Sequence, residues 1–552
     1  MSLAHHKDRP PLETVASARE ALQPTGLFPI EREWNAFSND CISLQLEDIH
    51  MPALFANGKG VSRGLALASA YGELLERVQT GFLVPKGFGL MKDRPFYHLD
   101  ERFIAVGHLE QSLGATCNPL FDSNEVPWDA LEKIASELPC APFYDVRQGG
   151  VLELPLDLLR SSLNANGTCA GNSPEEAIVH GICEVMERFV TRELLTRVPL
   201  DLPDVPLNVF RSCASYRLIH ELQSRGYEVL IKDCSLGGRF PALGLALKPQ
   251  DAPLYRYKVG CDPVLEIALQ RCFTEIVQGT SSSDTLPLFR VAASDAEATP
   301  AERHQRFVRF MFNRLEELPE GLVRRSNTPF DFTPFEERFV SHRHSLLRLV
   351  AALFDHGHTL FVRANGFLGF PAYWVYVPDL SPVHMLNEEV LELVLRHRPF
   401  VLSCLLHTEG RRPSELRESA SLLARARAHN QFHRLFPSSL YPGYRGLDEE
   451  LILFRLFAQA NAVEEARERL RRFLEDRAQH TGTAFWKKLL DHPETVAKGF
   501  ERVAWPQCGD CHRCPVQATC FFPAWKRTNR ALVACMEANP IDQLALEAVF
   551  DG

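Results

Sequence analysis

The chain has 552 residues, of which 45% are hydrophobic and 24% are charged, and its formal net charge is -10. The length predicts two or three domains, and the composition excludes a disordered chain. The acidity argues against a surface that binds nucleic acid through general electrostatics, and the odd total of 15 cysteines excludes a complete disulfide framework.

The sequence shows no signal for secretion or for a membrane span. Its N-terminal stretch, MSLAHHKDRPPLETVASARE, lacks the apolar region of a signal peptide, and no run of about eighteen apolar residues occurs. We therefore expect a cytoplasmic protein without a membrane partner, in which most thiols are reduced and buried.

Two predicted helices repeat each other. GVSRGLALASAYGELLERV, at residues 60–78, aligns without gaps with GNSPEEAIVHGICEVMERFV, at residues 171–190. The matching pairs are Gly60 with Gly171, Ser62 with Ser173, Ala66 with Ala177, Glu73 with Glu184, Glu76 with Glu187, and Arg77 with Arg188. A looser third copy, DPVLEIALQRCFTEIVQG, retains Ala268, Glu275 and Gln278. Three similar helices predict three similar supersecondary units.

The first two repeats carry helix start signals, and their acidic residues share one helix face. Ser62 and Ser173 are predicted N-caps, and Ser173 forms a capping box with Glu176. Glu184 and Glu187 stand three residues apart, as do their counterparts in the first helix. Solvated faces with local Glu/Arg pairs are one interpretation. The repetition favours the other, a cage for a hard divalent cation such as Mg²⁺ beside a nucleotide.

Short turns before the repeated helices are consistent with phosphate binding. NGKG at residues 57–60 and NGTCAGN at residues 166–172 can bring backbone N–H groups close to a phosphate near a helix N-terminus. The chain contains no GxxxxGK[ST] motif. If ATP binds, we expect it to bind without a P-loop.

The pattern of residues changes along the chain. Strand-like runs at residues 227–238, 240–248 and 358–364 lie between helical segments and predict an α+β body over residues 1–385. From residue 386 to 500, Ala, Leu, Arg and Glu at helical spacing predict an all-helical, TPR-like module. A short cysteine-rich tail, residues 501–552, follows it.

The tail contains the run CGDCHRCPVQATC. It places Cys508, Cys511, Cys514 and Cys520 in a CxxCxxCx5C arrangement. Four thiolates so close together can bind one Zn²⁺ ion or hold an iron–sulfur cluster, and the spacing leaves both open. Unligated thiols in a turn are the third interpretation.

Other histidines and cysteines have simpler interpretations. The histidines of HRHS and DHGH lack the spacing of a helical metal site, so we expect loop or surface positions for His342, His344, His356 and His358. Apolar neighbours predict core positions for Cys183, Cys234, Cys261 and Cys272.

At its repeated motifs the sequence resembles the YcaO family of ATP-dependent proteins that modify backbone amides. The resemblance rests on FANGKGVSRGLALASAYGELLERV, NGTCAGNSPEEAIVHGICEVMERFV, KDCSLGGRFPALGLAL and the third helix, in this order. It covers about the first 385 residues. The chain is most similar to the stand-alone enterobacterial subgroup, whose N-terminus is similar to KDRPPLET here.

The resemblance implies three related α/β subdomains around a Mg-ATP site, usually in a homodimer. By position, the magnesium ligands would be Glu73, Glu76, Glu184, Glu187 and Glu275. The nucleotide would be lined by Lys7, Thr14, Cys169, Asn172, Glu176, Arg188, Arg271 and Gln278. The catalytic group would comprise Glu184, Glu187 and Arg188. Cys169 stands where a close relative has serine, and Glu176 is also claimed by the capping box.

The resemblance further implies an activity. In the family a nucleophile adds to a peptide carbonyl, and ATP phosphorylates the resulting oxyanion so that it leaves as phosphate. The implied function is ATP-dependent activation of a peptide or protein backbone amide, through cyclodehydration or thioamidation, with release of ADP and phosphate. The alternative is an ATP-binding accessory factor for β-methylthiolation of an aspartate in a small-subunit ribosomal protein. Its partner would be a radical methylthiotransferase or a sulfur donor, and nucleic acid is not an expected partner.

Overall fold

The computed structural model describes residues 6–51, 54–82, 97–197, 201–250, 254–278, 288–291, 299–311, 317–330, 334–406, 411–428, 431–436, 448–476, 487, 490 and 522–551. Strands and helices are interspersed through the first part of the chain, and only helices follow residue 376 within these ranges. The predicted α+β class is confirmed.

The strands form three antiparallel sheets and one small parallel pair. They are β1 (Pro29–Ser38), β2 (Cys41–Asp48), β3 (Phe55–Gly60), β4 (Arg102–Ala105), β5 (Glu137–Asp145), β6 (Gly150–Pro155), β7 (Thr168–Ala170), β8 (Tyr227–Asp233), β9 (Ala242–Pro249), β10 (Arg256–Cys261), β11 (Arg290–Val291), β12 (Glu317–Leu318), β13 (Phe361–Ala364) and β14 (Ala372–Tyr376). The sheet orders are β1-β2-β3, β10-β9-β8, and β4-β5-β13-β14-β7 with β6 beside β5, while β11 pairs with β12.

The helices pack against these sheets and continue after them. They are α1 (Pro11–Leu22), α2 (Arg63–Gln79), α3 (Val106–Cys117), α4 (Trp128–Ile134), α5 (Leu156–Leu163), α6 (Pro174–Thr196), α7 (Ser215–Ser224), α8 (Leu265–Val277), α9 (Pro300–Met311), α10 (His342–Asp355), α11 (Glu388–Leu391), α12 (Arg398–Leu406), α13 (Pro413–Ala428), α14 (Phe432–Leu435), α15 (Glu449–Gln459), α16 (Val463–Asp476), α17 (Phe522–Ala538) and α18 (Glu547–Phe550). Among the described helices, none combines the length and apolar character that a bilayer span requires.

The repeated sequence folds into three strand–helix units, in which β3 leads into α2, β7 into α6 and β10 into α8. The predicted N-caps are confirmed. The Ser62 hydroxyl accepts a hydrogen bond from the Leu65 N–H at 3.3 Å, and the Ser173 hydroxyl accepts one from the Glu176 N–H at 3.1 Å. Helix α8 begins after Val264 without a side-chain cap, which matches the looser sequence of the third copy.

A close approach of strand and helix explains the small residues of the repeats. At the same position of each unit, a strand residue faces a helix residue twelve positions later, and one of the two is glycine. A Cβ on Gly181 would lie 2.7 Å from the Cys169 sulfur, and a Cβ on Gly58 would lie 2.6 Å from the Ala70 Cβ. The facing pairs are Gly58 with Ala70, Cys169 with Gly181, and Gly260 with Cys272. Only one member of each pair can carry a side chain at this spacing.

The hydrophobic core extends across the boundary that we predict at residue 385. One cluster of buried residues joins Leu74 of α2 with Leu423 of α13 and Leu453 of α15. The division into domains at residues 385 and 500 stays a prediction. The predicted core positions of four cysteines are confirmed, since Cys183, Cys234, Cys261 and Cys272 are fully buried.

Gly260→Ala should destabilise the protein. The added methyl group would lie 2.4 Å from the carbonyl oxygen of Ala268 and 2.8 Å from the backbone nitrogen of Cys272. Overpacking of this kind costs about 1–3 kcal/mol, so the midpoint of urea unfolding, followed by circular dichroism, should fall.

The matched control is Gly114→Ala within α3, where a Cβ would meet no atom within 4 Å. Helix propensity favours alanine over glycine there by up to about 1 kcal/mol. The control should therefore keep or raise the unfolding midpoint. Equal midpoints for the two variants would contradict the close approach of β10 to α8.

Candidate functional site

The three repeated helices face a single cavity of about 600 Å³. Its lining includes all five glutamates that we predict to bind magnesium: Glu73 and Glu76 from α2, Glu184 and Glu187 from α6, and Glu275 from α8. These acids therefore do not lie on separate solvated helix faces, although the local Glu/Arg pairs of that interpretation form on α2 and α6. The i, i+3 spacing on each of the first two helices places both acids of a helix toward the same space.

The protein itself supplies a basic partner to four of these five carboxylates. On α6, Arg188 contacts Glu184 through Nη2 at 2.9 Å and through Nε at 3.0 Å. The remaining three pairs are Arg77 with Glu73, Arg271 with Glu187 at 3.2 Å, and Lys59 with Glu275. Two of the pairs each lie within a single helix, α2 or α6, and the other two join different units. Together they offset the mutual repulsion of the acids in a partly desolvated space.

Glu76 is the fifth carboxylate, and no base among the described residues lies at ion-pair distance from it. Its Oε1 accepts a hydrogen bond from the Thr168 hydroxyl at 2.6 Å. Burial raises the pKa of Glu76 well above its usual range, and the nearby Glu184 raises it further, while Thr168 lowers it in part. A divalent cation at this position would favour the ionised carboxylate.

The pKa values of Glu187 and Glu275 are shifted in opposite directions, although both carboxyl groups lie in the same cavity. Burial raises the pKa of Glu187, and the guanidinium of Arg271 only partly offsets this effect. Burial also acts to raise the pKa of Glu275, but the ammonium groups of Lys59 and Lys258 outweigh it and hold that pKa below its usual range. The cavity thus contains both carboxyl groups that retain a proton more readily and carboxylates that are firmly ionised.

The N-terminal segment covers the start of α6. Lys7 Nζ lies 3.0 Å from Glu176 Oε1, and the Asp8 N–H donates to Glu176 Oε2 at 3.1 Å. Asn172 donates to the same carboxylate at 3.0 Å and accepts from the Thr14 hydroxyl at 2.8 Å. Burial would raise the pKa of Glu176, but Lys7 and Asn172 lower it to about 2. Four predicted nucleotide-lining residues are therefore held together by direct contacts.

The predicted capping box forms only in half. Ser173 accepts from the Glu176 N–H at 3.1 Å, as a capping box requires. The described contacts of the Glu176 carboxylate go to Lys7, Asn172 and Asp8, away from the cap. The competition noted for Glu176 is settled in favour of the cavity.

Cys169 differs from the other residues predicted to line the nucleotide. It is fully buried on β7 and lies against Gly181, and its thiol donates to the Tyr373 carbonyl at 3.6 Å. The side chain lies behind the cavity wall, so its placement does not support a direct nucleotide contact. Lys7, Thr14, Asn172, Glu176, Arg188, Arg271 and Gln278 all line the cavity. The predicted metal site at Cys508, Cys511, Cys514 and Cys520 lies outside the described residues.

Several cavity residues were not predicted. Lys59 and Lys258 project from β3 and β10, the strands that precede two repeated helices, and strand alternation in NGKG and YKVG is the signal that could have found them. His180 accepts from Arg271 at 3.1 Å. His342 contradicts the expected loop or surface position, because it is buried at the first turn of α10 and lies 2.8 Å from Asp8.

Magnesium and a nucleotide fit this arrangement. The donor set consists of carboxylate oxygens, which hard divalent cations prefer. Arg271 Nε is buried without a hydrogen-bond partner among the described residues, so the cavity retains an unused donor. The volume of about 600 Å³ lies within the range of small-molecule pockets.

Comparison with known proteins identifies relatives of this chain. A family described as YcaO cyclodehydratase, ATP- and Mg²⁺-binding, matches residues 57–381. The chain is 28% identical over 321 residues to the ribosomal protein S12 methylthiotransferase accessory factor YcaO of Escherichia coli, covering 54% of each chain. It is 27% identical over 296 residues to an uncharacterized protein of Haemophilus influenzae, covering 50% of each. The chain thus spans about half the length of these curated relatives.

One solved structure, a heterocyclase in complex with substrate and cofactor, superposes with a TM-score of 0.50 at 16% identity, covering 68% of this chain and 53% of the other. This likeness is one of fold.

Glu176→Gln should destabilise the protein at neutral pH, because the variant loses the charge that Lys7 meets. The pKa of Glu176 is lowered to about 2 in the folded state, from an ordinary value of about 4.5 in the unfolded chain. The ionised carboxylate therefore stabilises the fold above pH 4.5, and this contribution is lost as the pH falls toward 2. We expect the free energy of unfolding of the variant to be lower by about 2 kcal/mol at pH 7. This value is smaller than the full pKa shift implies, because solvent screens the half-exposed Lys7.

Urea unfolding of the wild type and the variant between pH 7 and pH 3 measures this deficit. The control is Glu175→Gln, which changes the neighbouring carboxylate, 3.7 Å from Arg343. It should change the free energy of unfolding only slightly, and by the same amount at each pH. A Glu176→Gln deficit that persists undiminished at pH 3 would rule out the ion pair as its source.

Proposed function

The chain belongs to the YcaO family, and from this premise we propose that it uses ATP to activate a peptide or protein backbone amide by phosphorylating the carbonyl oxygen. The observation that carries the proposal is the convergence of five glutamates from three repeated helices on one cavity. An acidic cavity with paired bases suits a metal–nucleotide complex better than a neutral substrate.

The predicted ligands divide between metal and nucleotide. The five glutamates would hold magnesium ions, which supply positive charge to the phosphates when bound. Lys7, Thr14, Asn172 and Glu176 would line the nucleotide at the N-terminus of α6, where helix N–H groups favour an anion. Arg271 and Gln278 of the third unit, which also line the cavity, would contact the nucleotide as well.

The proposed reaction begins when a nucleophile adds to the carbonyl carbon and the π electron pair moves to the carbonyl oxygen. This oxygen attacks the γ-phosphorus of ATP, the bond from that phosphorus to the bridging oxygen breaks, and ADP leaves. A lone pair of the amide nitrogen, or of the added nucleophile, then forms a double bond to the carbon as the carbon–oxygen bond breaks. Phosphate departs with the oxygen, and the protons lost from the nucleophile and the amide pass to water. Whether cyclodehydration or thioamidation results depends on the nucleophile.

Arg188 of α6 would stabilise the negative charge that develops during this transfer, and Glu184 and Glu187 would act through the magnesium ions that they would hold. Arg188 is oriented by Glu184 at 2.9 Å, and Glu187 is oriented by Arg271 at 3.2 Å. Groups fixed in advance cost little reorganisation when charge develops, which is the main source of electrostatic catalysis. These three α6 residues, Glu184, Glu187 and Arg188, form the proposed catalytic group.

Glu187→Gln should lower the release of ADP and phosphate by about 100-fold or more, the usual effect of losing one such group. The measurement is a coupled assay of both products with Mg²⁺ and ATP, alongside far-UV circular dichroism. Glu193→Gln is the matched control, because Glu193 lies on the same helix, pairs with Arg197 and does not line the cavity. Unchanged turnover in folded Glu187→Gln would refute the proposed activity.

The second candidate is an accessory role, which the similarity to the Escherichia coli accessory factor favours. In this case ATP would be a structural ligand, and the chain would recruit a modifying enzyme. The homodimer and the metal at the cysteine tail remain predictions under either function.

If the role is accessory, the protein should bind Mg-ATP without releasing ADP, whether or not a peptide is added. It should also co-elute with a radical methylthiotransferase or with ribosomal protein S12 in size-exclusion chromatography of mixed purified components. Wild-type turnover without such co-elution would eliminate the accessory role. Binding without turnover, together with co-elution, would replace the enzymatic proposal.

A further inference from the structure

Most of the strongly basic residues that line the cavity have a carboxylate partner, but Lys258 does not. Ion pairs join Lys7 to Glu176, Arg77 to Glu73, Arg188 to Glu184, Arg271 to Glu187, and Lys59 to Glu275. Within the described ranges, no carboxylate lies at ion-pair distance from Lys258. Lys258 is therefore a half-buried cation without an ion pair in a cavity where most other basic residues have one.

Lys258 lies among the proposed metal ligands. It projects from β10 into the cavity, and the charges that act on it include those of Glu275 and Glu187. Its Nζ lies 5.6 Å from the centre of the Phe310 ring on α9, and Met311 lines the same cavity. A ring face compensates an ammonium ion only in part, and the two carboxylates act from beyond ion-pair distance, so the partial burial of this charge remains costly.

A bound anion would remove this cost. Each of the paired bases already shares its charge with a carboxylate, whereas Lys258 makes no ion pair within the described ranges. Among the groups of a nucleoside triphosphate, the terminal phosphoryl carries the most negative charge, so a cation without a partner gains most there. The apolar ring of Phe310 beside Lys258 lowers the local polarity and strengthens such a contact.

We propose that Lys258 binds the terminal phosphoryl group of the nucleotide and thereby makes the site select a triphosphate over a diphosphate. The inference rests on the proposed function, since it requires that ATP occupies the cavity. It goes beyond that function because it assigns the recognition of the transferred group to a residue of β10, outside the repeated helices.

The test compares the affinities of two nucleotides by isothermal titration calorimetry with Mg²⁺ present. The probes are β,γ-methylene-ATP, which carries a terminal phosphoryl that cannot be transferred, and ADP. Lys258→Met should weaken the binding of the triphosphate analogue about tenfold or more, the effect of losing one charged hydrogen bond, and should leave ADP binding within about twofold. Lys258→Arg should recover most of the lost affinity.

Lys248→Met is the matched control. Lys248 lies on β9 of the same sheet, its Nζ is 5.9 Å from the Tyr255 ring, and it does not line the cavity. This variant should bind both nucleotides as the wild type does. If Lys258→Met unfolds, as shown by thermal denaturation, Lys258→Gln replaces it in the same titrations.

The outcomes separate this inference from the function on which it rests. Equal losses for the two nucleotides, or no loss for either, would overturn the role of Lys258 and leave the proposed activity intact. Unchanged affinities with a reduced turnover would place Lys258 at the amide oxygen of the substrate instead, and so would also overturn it. A wild-type protein that binds neither nucleotide would refute both proposals.

Discussion

The concentration of five carboxylates in one cavity is the constraint on which the rest of this structure depends. Acids at such spacing repel each other and resist desolvation, so the fold persists only with compensating charge. The chain supplies this charge through Arg77, Arg188, Arg271 and Lys59, each on its own carboxylate. Two of these bases come from a different unit than the acid they meet, so the ion pairs also hold the units together.

The small residues of the repeats serve the same constraint. Each acid-bearing helix packs closely on its own strand, and at the facing position of each unit one residue of the pair is glycine. The glycine lies on the strand in the first and third units and on α6 in the second, at Gly181. Cys169 fills the space that Gly181 leaves, so packing limits the size of the side chain at this position.

Local features of the site were readable from the sequence, and contacts between distant residues were not. The helix starts at Ser62 and Ser173 and the shared acidic faces follow from caps and from the i, i+3 spacing, which act within one turn. The partners of Glu275 and His342 lie 216 and 334 residues away in the chain, and no local pattern encodes such pairs. The prediction for His342 failed because helix spacing tests only ligands on one helix, whereas its partner Asp8 lies on the N-terminal segment.

The pairing of every predicted metal-binding carboxylate except Glu76 has a consequence for how metal and nucleotide would enter. Metal ions alone would displace Arg77, Arg188, Arg271 and Lys59 from their carboxylates and leave four bases without counter-charge beside new cations. A nucleotide alone would bring phosphates against the carboxylates. When both enter, the carboxylates take the metal and the released bases take the phosphates, so each ligand removes the electrostatic cost of the other.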